Sequence, residues 1–169
     1  MHAVAVTLGV IGGITTAIAI VGLFYVVVCW FLGITPMLRR LGLGRWFRKV
    51  YIAAKGEAYN NLRSDLIDSG VFREKNIYQI SSQSIAKIKD SDLTLLDYKS
   101  FNDNEVKRIL SNKQQRAGLV VYFPGGSGRI ADDILTLINN EPHTVLVNFR
   151  GRLINDLLVT LLSTSYVKK

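Results

Sequence analysis

Residues 119–149 read LVVYFPGGSGRIADDILTLINNEPHTVLVNF, and this stretch decides the fold class. Its two ends, Leu119–Phe123 and Thr144–Phe149, are short apolar runs of the kind found in strands buried on both faces of a sheet. Between them, Ile130–Asn140 carries apolar residues at helical spacing. A strand, a helix and a second strand in this order form a crossover between parallel strands. The stretch therefore predicts an α/β domain with a mostly parallel sheet.

Further strands and helices are predicted on both sides of this unit. Strand-like segments lie at Asn76–Ser81 and Leu93–Tyr98, and Ser84–Lys89 fits either a helical turn or a strand. Helical patterns cover Ala53–Ser69, Asn102–Asn112 and Leu153–Val167. These elements predict a small cytosolic domain over residues 57–169, whose exposed sheet edges would gain from a partner chain.

The N-terminal end is a predicted membrane anchor, residues 1–36. The first 38 residues carry no charged side chain, and Ala3–Leu32 is longer than the roughly 20 apolar residues that cross a bilayer. Basic residues follow at once, with no acidic residue before Glu57, which places that side in the cytoplasm. A cleaved signal peptide is the alternative. Such peptides carry their charges before a shorter apolar core, so the order here favours an uncleaved single-pass helix.

Residues 37–56 are predicted to form a basic amphipathic segment at the membrane surface. Basic and aromatic residues alternate there, and the basic residues account for most of the net charge of +8. Anionic lipid headgroups are therefore the expected partner, and nucleic acid is not favoured. The predicted membrane-interface residues are Arg39, Arg40, Arg45, Trp46, Arg48 and Lys49. Within the anchor, Gly9 and Gly13 have the spacing of a helix-packing motif, which favours a homo-oligomer.

The turn PGGSG at residues 124–128 is the candidate ligand site. Glycines at the carboxyl end of a strand let backbone N–H groups approach a phosphate or an oxyanion, although a plain tight turn needs them too. Three arginines lie near the same predicted edge, where they would bind a phosphate-rich ligand or pair with Asp132, Asp133 and Asp156. The candidate residues are Gly125, Gly126, Ser127, Gly128, Arg129, Arg150 and Arg152.

The order of strand, Pro-Gly-Gly turn, helix and strand resembles the Clp-protease and crotonase superfamily. It looks most like the membrane-anchored serine peptidases of the signal peptide peptidase A and serine dehydrogenase proteinase type. The resemblance implies an oxyanion-hole N–H at Gly126. In those families the nucleophilic serine follows the next strand, where this chain has RGRLIN at residues 150–155. The resemblance therefore implies a shortened relative without catalysis.

A second resemblance competes with the first. PGGSGRIAD, residues 124–132, is similar to the PGGxGTxxE signature of the lysine-decarboxylase-like phosphoribohydrolases, with Arg129 for the threonine and Asp132 for the glutamate. That family's upstream glycine-rich segment has no counterpart between Ala58 and Ala117, where Gly70 is the single glycine. This resemblance implies binding of a nucleotide rather than its hydrolysis.

The leading expectation is a non-catalytic, membrane-anchored oligomer whose Clp/crotonase-like domain acts as a scaffold or membrane effector. The alternative is a nucleotide-sensing effector that binds its ligand at the PGGSG turn and signals through the transmembrane helix. An active serine peptidase comes third. We assign no catalytic residue and expect no cofactor. One cysteine and two distant histidines give no metal-ligand cluster, so no metal is expected either.

Overall fold

The structure is a computed structural model that describes residues 2–126 and 128–164. The chain forms two compact units that divide between Arg39 and Arg40. The first contains helix α1 (His2–Phe31), and helix α2 (Ile34–Phe47) crosses the division. Gly33 separates the two helices and has a positive φ of 74°, which glycine adopts at little cost. Pro36 lies in the first turn of α2, where its missing N–H is tolerated.

One helix in the described part of the chain meets the length and composition of a membrane span. Gly9–Phe31 has a mean hydropathy of 2.3 and its side chains are almost entirely exposed. A signal sequence meets the same two criteria. A Cβ added at Gly9 or Gly13 would touch nothing within 4 Å, so both positions are open to a neighbouring helix. Their role in oligomerisation stays a prediction.

The second unit is an α/β domain. Its strands are β1 (Val50–Ala53), β2 (Ile77–Ile80), β3 (Leu93–Asp97), β4 (Gly118–Tyr122) and β5 (Thr144–Val147). Its helices are α3 (Gly56–Asp68), α4 (Asp103–Asn112), α5 (Asp132–Asn140) and α6 (Leu153–Ser163). Short 3-10 turns occupy Glu74–Asn76, Ile85–Asp90, Tyr98–Ser100 and Arg150–Arg152.

The five strands form one sheet in the order β2-β1-β3-β4-β5. Each neighbouring pair in the described chain is parallel, with Val50 opposite Leu93 and Leu119 opposite Thr144. The predicted α/β class with a mostly parallel sheet after an N-terminal apolar helix is confirmed. Strands β3 and β4 are buried along almost their whole length because helices cover both of their faces.

Each face of the sheet has its own hydrophobic core. On one face, α4 and α5 contribute Val106, Ile109, Ile134 and Ile138. On the other face, α3 and α6 contribute Leu62, Leu66, Leu157 and Leu161. Successive side chains of a strand point to opposite faces, so Val120 belongs to one core and Val121 to the other.

Strand β1 lies inside the segment expected at the membrane surface. Val50–Ala53 is a central strand, fully buried, and paired with β2 on one side and β3 on the other. The helix expected over Ala53–Ser69 begins only at Gly56, since the chain must first leave the sheet. The sheet domain therefore starts before residue 57.

Arg48 was predicted to lie at the membrane interface, but the structure buries it inside the domain. Its side chain is 1% exposed. The guanidinium donates to the carbonyl of Leu161 at 2.7 Å, and to the hydroxyl and carbonyl of Thr164 at 2.7 and 2.6 Å. These carbonyls end α6, where backbone acceptors lack helical partners and a positive charge is favourable. Arg48 is therefore unavailable to a lipid headgroup.

Other predicted membrane-interface residues also contact the domain. Arg45 donates to the carbonyl of Gly70 at 2.6 Å, and Arg40 donates to the carbonyl of Leu162 at 3.3 Å. Trp46 stacks under the guanidinium of Arg73 at 4.1 Å while keeping 54% of its surface exposed. Contact of Arg39, Arg40, Arg45, Trp46 and Lys49 with lipid stays a prediction.

Candidate functional site

The strand order creates a switch point between β1 and β3. After β1 the chain enters α3 on one face of the sheet, and after β3 it enters α4 on the other face. Crossovers that leave neighbouring strands toward opposite faces open a crevice at the carboxyl ends of those strands. Ligands in open parallel sheets collect in such a crevice.

A cleft of about 310 Å³ lies at this position, and we call it the switch-point cleft. Its apolar wall consists of Ala58, Leu62, Tyr122 and Pro124. Its polar lining consists of Asn61, Asp97, Lys99, Ser100 and Arg150. A mostly apolar wall with a few polar groups is typical of a small-molecule site.

Asp97 is the buried charged group of the switch-point cleft. It ends β3 and is 5% exposed. The Ser100 hydroxyl donates to Asp97 Oδ2 at 2.5 Å, and the Lys55 backbone N–H donates to Ser100 Oγ at 3.0 Å. This chain of hydrogen bonds joins the loop after β1 to the loop after β3 across the switch point.

Arg150 enters the same cleft from the turn after β5. Its Nε and one terminal nitrogen donate to the two carboxylate oxygens of Asp65 at 2.8 and 2.9 Å. These hydrogen bonds, and then the negative charge of Asp65, raise the pKa of Arg150 above its usual value. The planar fork is thereby fixed in orientation, while 53% of the side chain stays exposed to solvent.

The glycine turn follows β4, as the sequence predicts. Gly126 and Gly128 have positive φ of 79° and 99°, and the Gly125 N–H donates to the carbonyl of Asn148 at 3.2 Å. A Cβ added at any of these three glycines would meet nothing within 4 Å, so Gly126 and Gly128 are required for their backbone angles and not for space. Ser127 lies outside the described residues. The ligand role of the turn stays a prediction.

The turn does not run directly into a helix. Helix α5 was expected from Ile130 but begins at Asp132, and its first turn carries Asp132 and Asp133. A hydrogen bond from Lys107 lowers the pKa of Asp133, which keeps this carboxylate ionised. These two acids complement the positive end of the helix dipole themselves. The N-terminus of α5 is therefore a poor place for a ligand phosphate.

The three arginines do not share one cavity. Arg129 pairs with Asp132 at 2.8 Å and lines a separate groove of about 430 Å³ beside Tyr98 and Asp103. Arg152 pairs with Asp156 at 3.7 Å on the surface of α6. Among the three, Arg150 is the arginine that lines the switch-point cleft.

Among the polar residues of the cleft, Arg150 is the one that was predicted from the sequence. Asp97, Lys99 and Ser100 directly follow a buried strand in LTLLDYKS, residues 93–100, and this position was the available signal. Asn61 and Asp65 lie on a helix and give no such signal. In the part of the chain that the structure describes, no three His, Cys, Asp or Glu residues form a group suited to a metal ion.

Comparisons with family models and with curated proteins gave no match. Among solved structures, the chain is similar to the CMP N-glycosidase BcmB of Clostridium botulinum. The TM-score is 0.43 at 14% sequence identity, over 68% of this chain and 98% of that chain.

The resemblance to the Clp and crotonase superfamily was wrong. The solved structure that the chain matches is a CMP N-glycosidase, and the serine peptidase expected from that resemblance is withdrawn with it. The Pro-Gly-Gly turn is a poor family marker. Its glycines are explained by the positive φ that the backbone adopts after the strand, and such a turn is not specific to one family.

Proposed function

We propose that this chain is a membrane-anchored receptor that binds a phosphate-bearing nucleotide in the switch-point cleft. The observation that carries the proposal is the position of Arg150. Its fixed guanidinium fork faces a cleft at the switch point, where parallel sheets bind ligands. This proposal develops the nucleotide-sensing alternative. The Clp/crotonase-like scaffold is withdrawn together with its resemblance.

The charges of the cleft suit a phosphate. Lys99 and Arg150 supply two cations to the lining, against the one buried carboxylate of Asp97. Arginine binds phosphate with two parallel hydrogen bonds, and lysine adds a mobile point charge. Asp65 occupies one edge of the Arg150 guanidinium. The other edge of the guanidinium is left with N–H groups that can donate to a phosphate.

The apolar wall suits the base or sugar face of a nucleotide. Tyr122 is the last residue of β4, Pro124 lies two residues beyond it, and Leu62 lines the cleft from α3. A volume of about 310 Å³ lies at the lower end of the range typical of small-ligand sites. A mononucleotide is therefore the favoured size of ligand.

The contacts of α6 connect the cleft with α2. Helix α6 starts directly after the turn that holds Arg150, and its last carbonyls are bound by Arg48. Gly44 of α2 packs against Leu161 so closely that an added Cβ would lie 2.6 Å from its side chain. Rearrangement at Arg150 would thus reach α2, the helix that follows the candidate span. We propose this route as the output of the receptor.

The test is a calorimetric titration of the full-length protein in detergent with each of the four ribonucleoside 5′-monophosphates. Arg150→Ala should weaken binding by roughly 10- to 100-fold, since it removes hydrogen bonds from a charged donor. Arg150→Lys should fall between, because it keeps the charge and loses the fork. Arg116→Ala removes an exposed arginine outside the cleft and is the matched control.

Two outcomes would overturn the proposal. The first is that none of the four nucleotides binds to the folded wild-type protein. The second is that Arg129→Ala abolishes binding while Arg150→Ala leaves it intact, which would move the ligand to the groove beside Tyr98. Circular dichroism of each variant separates a loss of binding from a loss of fold.

A further inference from the structure

Asp97 has an unused hydrogen-bonding capacity inside the cleft. The side chain is 95% buried, since 5% is exposed, and it lines the cleft wall. In the described part of the chain its single side-chain partner is the Ser100 hydroxyl, on Oδ2. An ionised carboxylate accepts about four hydrogen bonds, so most of its acceptor sites are open toward the cleft.

A purely structural role does not require a charged group at this position. Holding one serine hydroxyl needs a single acceptor, which an amide or a hydroxyl also supplies. A buried carboxylate with one neutral partner is costly to desolvate unless further donors reach it. Those donors are expected from a ligand.

The surrounding charges decide which donors fit. Lys99 and Arg150 line the same cleft, and together they disfavour a cationic ligand such as an amine. Sugar hydroxyls bring donors without bringing positive charge. A pair of neighbouring hydroxyls offers two donors to the two carboxylate oxygens. The fit is thus to an anionic ligand that carries a diol.

We infer that Asp97 is a specificity residue that accepts hydrogen bonds from the 2′- and 3′-hydroxyls of a ribonucleotide and thereby discriminates against 2′-deoxynucleotides. This inference rests on the proposed function and names its ligand class. Ser100 is a positioning residue. Its oxygen is fixed by the Lys55 N–H, and its hydroxyl holds the carboxylate in one orientation.

The test compares each ribonucleoside 5′-monophosphate with its 2′-deoxy counterpart on the full-length protein in detergent. Wild type should bind the ribonucleotide at least about tenfold more tightly, because the deoxy sugar leaves a buried acceptor unpaired. Asp97→Ala should lower the preference to within about threefold by weakening ribonucleotide binding, and Ser100→Ala should lower it partly. Asp68→Ala, an exposed aspartate of α3, should keep the wild-type preference.

The outcomes separate this inference from the proposed function. If wild type binds ribo- and deoxyribonucleotides equally and Arg150→Ala still weakens binding, the role of Asp97 is overturned and the proposed receptor function stands. An unchanged preference in Asp97→Ala would do the same. If no nucleotide binds, both fall. If Asp97→Ala fails to fold, the near-isosteric Asp97→Asn tests the same ratio of ribonucleotide to deoxynucleotide affinity. Its amide replaces one acceptor by a donor, so this ratio should fall.

Discussion

Replacement of Arg48 by alanine tests whether the segment before β1 belongs to the domain core. The guanidinium makes three hydrogen bonds of 2.6 to 2.7 Å to Leu161 and Thr164, and the side chain is 1% exposed. Arg48→Ala removes these donors and leaves the carbonyls at the end of α6 buried without them. It also removes the positive charge from the negative end of the helix dipole.

The expected cost follows from these contacts. Hydrogen bonds to a charged group contribute about 1.5–3 kcal/mol each but do not add fully within one network. Leaving a buried acceptor without its donor costs about 1–3 kcal/mol, so we expect a combined loss of about 3–5 kcal/mol for this group of acceptors. A domain of this size has a net stability of roughly 5–15 kcal/mol. At about 3–5 °C per kcal/mol, we expect the thermal midpoint to fall by roughly 10–20 °C.

The assay is thermal unfolding of the full-length protein in detergent, followed by near-ultraviolet circular dichroism of the domain's aromatic residues. Arg116→Ala, an exposed arginine in the same domain, should change the free energy of unfolding by no more than about 0.5 kcal/mol. The opposite result is that Arg48→Ala unfolds at the wild-type temperature and loses binding to anionic vesicles, which would place Arg48 at the lipid surface and not in the domain core.

Three smaller effects follow from the same structure. Gly118→Ala should lower the free energy of unfolding in urea by about 1–3 kcal/mol, because the added Cβ would lie 2.5 Å from Thr160 Cγ2. Gly42→Ala is the control, since its Cβ would meet nothing within 4 Å and should not destabilise the protein. Asn102→Ala should cost about 1 kcal/mol in the same assay by removing the capping box of α4, and an unchanged urea midpoint would count against it. Burial raises the pKa of Tyr98 from 10.0 to about 12. The contribution of the neutral phenol to the free energy of unfolding should therefore be complete below pH 10 and be lost as the pH rises to about 12. The difference in thermal midpoint between wild type and Tyr98→Phe should shrink over that range, and a constant difference would refute this.

Elements with a clear local pattern were predictable from the sequence. The strand, turn, helix and strand of residues 119–149 occur as expected, apart from a later start of α5. Strand β1 was not predicted, because VYIA has only four residues and directly follows a basic, aromatic stretch typical of a membrane surface. Its burial depends on β2 and β3, which lie far away in sequence.

The site was predictable only in part for the same reason. The turn after β4 and Arg150 are visible from their positions after apolar runs. The partner of Arg150, however, is Asp65 on α3, 85 residues earlier in the chain, where nothing local marks it. Which of three arginines lines the cleft depends on the strand order, since that order sets the position of the switch point.

A nucleotide bound in the switch-point cleft should place its phosphate on Arg150 and its sugar hydroxyls on Asp97. The decisive measurement is an experimental structure of the full-length protein in detergent with the tightest-binding ribonucleoside monophosphate. We expect phosphate oxygens within about 3 Å of the Arg150 guanidinium. A phosphate bound beside Arg129 in the groove at Tyr98, with the switch-point cleft empty, would show that Arg150 is not the phosphate-binding residue.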